Sequence, residues 1–284
     1  MQTDLLTYRA QRAQMRGGML VSLLVFTAAL YMLAAQLPGG VAAAVFACLF
    51  WLVGIRLLRR RCLRTSRRLH ALYGPGRSLD GVSYIDHKPC DGELLIRLGV
   101  APRAPFLEGS ICRHVLGGML SGFAATVAEV AFTPHPQGGV PAASLTGTLI
   151  HVEARGTGHF LALRREQLPG LLKQGSRDGF SNAALPDGCG LPEGAALLSS
   201  ETRPLAPRLV EKISHLLSAC TGPVCVASSP EGIAVFLPRR FYALAEDREL
   251  AASDFSPMPE LELIAGIAEA YHCGQNSSCD AKEG

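Results

Sequence analysis

The stretch Gly17–Ile55, GGMLVSLLVFTAALYMLAAQLPGGVAAAVFACLFWLVGI, holds 39 consecutive residues without a charged side chain. About 20 apolar residues suffice for one helix to cross a bilayer, so the run is too long for one pass and long enough for two. Pro38-Gly39-Gly40 divides it near the middle, because proline removes a backbone donor and the glycines free the chain to reverse. The expectation is a transmembrane hairpin over 17–58, with spans at 17–37 and 41–58. Arg56 lies close enough to the end of the second to extend its guanidinium to the headgroups.

Charge places the hairpin. The 284-residue chain is 48% hydrophobic and 18% charged, too apolar for a disordered protein, with a net charge of +3. That small value hides two opposed parts: the first 68 residues hold ten arginines, no lysine and one acid, Asp4, for a net of +9, and the other 216 residues carry −6. Arg9, Arg12 and Arg16 precede the first span, while Arg56 and the cluster Arg59, Arg60, Arg61, Arg64, Arg67 and Arg68 close the second. The turn between the spans has no basic residue, so the positive-inside rule puts both termini in the cytoplasm. A cleaved signal peptide fits less well, because a second apolar run follows the turn at once. The arginines after the second span are read first as a topology anchor, with attraction to anionic lipid headgroups following from their position. No aromatic platform interleaves them and the rest of the chain is acidic, so nucleic acid is not an expected partner.

The chain thus divides into a cytoplasmic N-terminal segment (1–16), the hairpin (17–58), a basic juxtamembrane linker (59–80), a soluble domain (81–273) and a polar tail (274–284). Beyond the linker, short apolar segments alternate with Gly and Pro clusters, the pattern of a β-rich α+β fold with a few packing helices. Phe123–Phe132 reads as a strand. Ser144–Ala154 and His159–Arg165 read as a hairpin closed at Arg155–Gly158, and Val224–Ala227 with Ile233–Leu237 as another. Pro207–Ala219 puts Leu209, Val210, Ile213, Leu216 and Leu217 on one helical stripe, and Glu260–Tyr271 does the same with Leu261, Ile264, Ile267, Ala268 and Tyr271.

This order of pieces resembles a family of bacterial membrane-anchored proteins catalogued as domain of unknown function 3137. The shared features are a two-helix anchor, a basic linker, a strand ending in an apolar-aromatic pair (Val127–Phe132), and the strand Leu145-Thr146-Gly147-Thr148-Leu149-Ile150. A segment like Leu197–Val210 entering a helix, a hairpin like Val224–Leu237 and a late helix like Leu261–Tyr271 complete it. The family usually has Phe before the central glycine and Ser-Glu after its first long strand, where this chain has Thr146 and Thr133-Pro134. The resemblance implies the architecture and residence in a bacterial inner membrane, and brings no substrate, cofactor or catalytic residue.

No residue is assigned a catalytic, cofactor or metal role. None of the nine cysteines forms a C-x2-C knuckle. The nearest approach to a zinc set is His87-x2-Cys90 with Cys112-x-His114, whose spacing does not match the usual ligand loops; Cys273 and Cys279 beside His272 match less well still. Ser228-Ser229 sit in a turn, where small polar residues are expected, and Glu246-Asp247, Glu260 and Glu262 lie near helix starts, where they favour the dipole. No phosphate-binding loop is present; Gly156 and Gly158 read as a hairpin turn. His151 and His159 flank the first predicted hairpin and would face each other across it. The leading expectation is an interaction, scaffolding or sensory module at the inner face of the membrane, with a protein partner or a second copy of the chain. The alternative is a membrane-tethered hydrolase, with or without a bound metal, drawing on some of His87, Cys90, Cys112 and His114.

Overall fold

A computed structural model describes residues 2–89, 111–132, 145–156, 158–164, 180–201, 204–220, 222, 224–229, 231–239, 255 and 257–274. The chain forms two compact units. The first runs to Tyr73 and includes Phe255; the second holds the rest of the described residues.

The first unit is a helical hairpin. Helix α1 (Gln2–Ala34) ends just before the predicted break, and α2 (Gly40–Leu49) starts just after it. Gln36 and Gly39 turn the chain with positive φ, and Gly40 lies so close to the α1 backbone at Met32 and Leu33 that a side chain there would press on it. After α2 the helix continues through a π-helical segment (Phe50–Ile55) into α3 (Arg56–Tyr73). The predicted linker 59–80 is therefore helical up to Tyr73. The reason is spacing: Cys62, Ser66 and Leu69 form a buried stripe on a segment otherwise rich in exposed arginines, so packing on α1 holds the helix together.

The seam explains the π-segment. On α1 the buried residues Tyr8, Met15, Ser22 and Ala29 recur every seven residues. On the other arm the series is Gly40, Ala47, Ile55, Cys62 and Leu69, with steps of seven except for a step of eight from Ala47 to Ile55. A seven-residue repeat keeps one stripe against a partner helix. The wide turn absorbs the extra residue and returns the stripe to the seam.

In the second unit all strands are antiparallel and form one nine-stranded sheet of order β1-β2-β3-β4-β9-β8-β5-β7-β6. Its strands are β1 (Asp80–Pro89), β2 (Ile111–Leu120), β3 (Phe123–Phe132), β4 (Leu145–Val152), β5 (Phe160–Arg164), β6 (Ser181–Asn182), β7 (Ala195–Ser199), β8 (Cys225–Ser229) and β9 (Gly232–Leu237). The two amphipathic helices, α4 (Pro207–Ala219) and α5 (Glu260–Cys273), pack against each other and bury the predicted stripes. Arg164 ties β5 to the end of α4, its Nη1 donating to the carbonyls of Leu217 (3.4 Å) and Cys220 (3.0 Å), which the helix itself leaves unpaired. A core layer including Val130, Leu149, Leu161, Leu198, Ala227 and Phe236 runs across the middle of the sheet.

The β8–β9 hairpin stands as predicted, but the proposed pairing of Ser144–Ala154 with His159–Arg165 does not. β4 pairs with β3 and β9, β5 pairs with β7 and β8, and the β8–β9 hairpin lies between β4 and β5. Phe160–Leu163 is buried along its whole length, so β5 needs a neighbour on both edges and a layer on both faces, and a two-stranded ribbon supplies neither. A hairpin that sequence reading missed joins β2 to β3. Ser121 (φ 48°) and Gly122 (φ 85°) both take the left-handed conformation that tight two-residue turns require, and the Ser-Gly pair between two apolar runs was its signal.

Candidate functional site

A polar cluster sits where β1 meets β2. Between Arg113, opposite Glu129, and Leu116, opposite Val127, β2 carries two residues, His114 and Val115, against Ala128 of β3. His114 makes this bulge with φ 51°, an uncommon conformation for a side-chain-bearing residue, and is only 2% exposed. The Tyr84 hydroxyl lies 2.7 Å from His114 Nδ1 and 3.3 Å from Asp86 Oδ1, and the two rings stack. Asp86 lies 3.6 Å from the same Nδ1 and 3.3 Å from Nδ1 of the exposed His87. A tyrosine hydroxyl has one proton, so donating it to Asp86 leaves its oxygen to accept from the Nδ1–H of His114. The arrangement can pass or hold a proton. Bulges and strained backbone cluster at functional positions, which makes this the best polar site among the described residues.

The zinc set that was weighed is not assembled among the described residues. His87 and His114 do share Asp86, but Cys112 is buried in the apolar core, and Cys90 lies outside the described residues. Among the described residues no group of three or more His, Cys, Asp or Glu could hold a metal ion.

Other predicted candidates have structural roles. Ser228 is buried in β8, accepting from the Phe160 amide (2.8 Å) and donating to the Gly158 carbonyl (3.0 Å), which also accepts from the Tyr271 hydroxyl (3.0 Å). His151 pairs in register with Thr126 and Ala234, while His159 precedes β5, so the two do not face each other across a hairpin. His272 sits 3.0 Å from the Arg155 carbonyl and edge-on to Phe123 rather than in a metal set, and Cys279 lies outside the described residues. Glu260 and Glu262 fall in the first turn of α5, as expected, and Glu246-Asp247 lie outside the described residues.

A small cavity of about 130 Å³ lies between Cys220, Val224, Leu237, Arg239 and Glu260. The Arg239 guanidinium pairs with Glu260, and Thr148 Oγ1 donates to the Arg239 carbonyl (2.7 Å). Burial, helped by the Glu260 charge, pushes the Cys220 thiol up to about 11, and burial alone pushes Cys225 up to about 12. Both stay protonated near neutrality and lack the thiolate a nucleophile needs.

The second surface with chemical character is the first unit itself. Both its arms are long and apolar enough to cross a membrane, with 11% of each apolar window buried. Leu24, Tyr31 and Val41 are each 70% exposed, so these helices turn apolar side chains outward rather than into a core. At one end of the pair, Arg59, Arg60, Arg61, Arg64 and Arg68 are exposed on α3 and Arg67 is half-buried.

Fold and surfaces together define an α+β protein carrying two N-terminal helices able to cross a membrane. No family model, curated protein or solved structure matches the chain.

Proposed function

We propose that this chain is a bacterial inner-membrane protein. Its hairpin spans the bilayer twice with both termini in the cytoplasm, and its α+β domain works at the inner membrane surface as an interaction or sensory module. One observation carries the reading: a charge-free run of 39 residues folds as a paired hairpin whose outward side chains are apolar and exposed, with all its flanking arginines at the end opposite the turn. In water such a surface drives aggregation, and in a bilayer it is the expected outer face. The arginines anchor that end on the cytoplasmic side and attract anionic headgroups at about 1 kcal/mol per residue. The two-helix start, the strand Leu145–Val152, the hairpin Cys225–Leu237 and the late helix also support placing the chain beside the family of domain of unknown function 3137.

A topology experiment tests the reading. A reporter active only outside the cytoplasm is expected to be active when inserted between Pro38 and Gly39 and silent when fused after residue 70. Activity at the later position overturns the orientation, and silence at both positions with the chain in the soluble fraction overturns the membrane assignment.

A further inference from the structure

Two cavities open between the arms of the helical hairpin, and they share a wall. One, of about 420 Å³, is lined only by apolar side chains and Cys48: Leu23 and Phe26 from α1, with Trp51 and Leu52 from the π-segment. The other, of about 340 Å³, is lined by Met15 and Met19 from α1 and by Trp51, Leu52, Ile55, Arg56 and Arg59 from the opposite arm. Both cavities therefore meet at the π-segment, where the seam takes its single step of eight. Wide turns of this kind are rare and recur at functional positions.

We infer that this groove binds one anionic phospholipid, its phosphate held by Arg56 and Arg59 and an acyl chain laid along Trp51 and Leu52. The inference rests on the membrane reading above. A guanidinium matches a phosphate by geometry as well as charge, and two of them, one helical turn apart in sequence, line a cleft whose other lining residues are apolar. Trp51 stands five residues before Arg56 and offers an apolar face, and the two methionines across the gap adapt to a flexible chain. A second copy of the hairpin suits the site less well. Residues 5–79 contain no acidic side chain, so a second hairpin brings arginines to arginines, whereas an anionic lipid brings countercharge and chain together.

The chain has a single tryptophan, Trp51, which makes the test direct. The full chain is reconstituted in phosphatidylcholine vesicles containing phosphatidylglycerol, with one lipid or the other brominated on its acyl chains, and Trp51 fluorescence quenching is read. The expected result is a preference of about tenfold for phosphatidylglycerol at the site. The double variant R56A/R59A is expected to lose that preference while remaining quenched by brominated phosphatidylcholine. R64A/R68A, which removes the same charge further along α3, is expected to keep it. Met19→Phe fills the groove without changing charge and is expected to reduce the preference severalfold. Equal quenching by both lipids in the unaltered protein overturns the site, as does equal loss in R56A/R59A and R64A/R68A, which reduces the effect to general surface charge. Failure to float with the vesicles overturns the membrane reading itself. Flotation without quenching by either lipid leaves that reading standing and rejects the lipid, with protein filling the groove.

Discussion

The ring of Tyr271 occupies the space in which a side chain at Gly156 would stand. A Cβ built on Gly156 falls well inside van der Waals contact with three ring carbons, while the hydroxyl of the same ring reaches on to the Gly158 carbonyl. The link between β4 and β5 is thus held against α5 by Tyr271 at Gly156 and Gly158, beside the contact of His272 with the Arg155 carbonyl. Gly156→Ala is expected to destabilise the domain by about 1–3 kcal/mol through overpacking. Tyr271→Phe should cost about 1 kcal/mol through the lost hydrogen bond. In the double variant Gly156→Ala/Tyr271→Ala, the glycine substitution should cost much less than it does alone. Urea unfolding of the unaltered chain, Gly156→Ala, Tyr271→Ala and the double variant measures the coupling, and strict additivity would refute the contact.

His114 separates two contributions. Its side chain meets Tyr84, and its backbone is left-handed, a conformation costing an ordinary residue about 1–2 kcal/mol. Both His114→Ala and His114→Gly lose the imidazole, but only glycine relaxes the backbone. His114→Gly is therefore expected to be the more stable of the two, by about 1 kcal/mol in thermal or chemical unfolding. The reverse order would show that the bulge is not strained.

Alkaline pH should weaken the domain. The Cys225 thiol is raised by burial from 9.0 to about 12 in the folded protein, so above pH 9 the unfolded chain releases that proton while the folded one keeps it. The folded state then binds more protons, and stability falls as pH rises, by up to about 1.4 kcal/mol per unit until the folded value is reached. Cys220, raised to about 11 and more accessible, adds in the same direction over a narrower window. Unfolding free energy measured between pH 8 and 11 should decline, and the decline should be shallower in Cys225→Ala. An identical slope in the variant would assign the loss to other groups.

The π-segment makes a prediction about length. Deleting Val53 turns the step of eight between Ala47 and Ile55 into seven and should leave a paired hairpin with an uninterrupted α-helix. Deleting Ala44 instead turns the preceding step from Gly40 to Ala47 into six and should disrupt the seam. Circular dichroism melts in detergent compare the two, and equal loss on both deletions would count against the seam repeat.

Much of this was legible in the sequence where the signal is local. The charge-free run and its Pro-Gly-Gly break located both helices of the hairpin, and apolar stripes located α4 and α5, because one helix face is read from residues three and four apart. Pairing between strands was less legible. Phe160–Leu163 shows that β5 is central, but an apolar run carries no mark of which strand lies beside it, and the nearby glycines suggested the wrong neighbour. The Tyr84, Asp86 and His114 cluster was half seen. His114 was weighed for a zinc set and given no metal role, while its actual partners lie 28 and 30 positions earlier, where only the β1–β2 register reveals them.

The place of the β8–β9 hairpin has a consequence for the order in which the protein is made. The strands β1 to β4 pair in sequence order, and β5 finds β7 within a few dozen residues, so two partial sheets can form while the chain is still emerging. Until β8 and β9 are synthesised, β5 and β4 respectively present an open edge of unpaired amides and carbonyls, the kind of edge that recruits strands from other chains. The last hairpin closes both edges at once. A ribosome that stalls before Leu237 therefore releases a polypeptide with two sticky margins, whereas one that passes it releases a chain able to seal its own sheet.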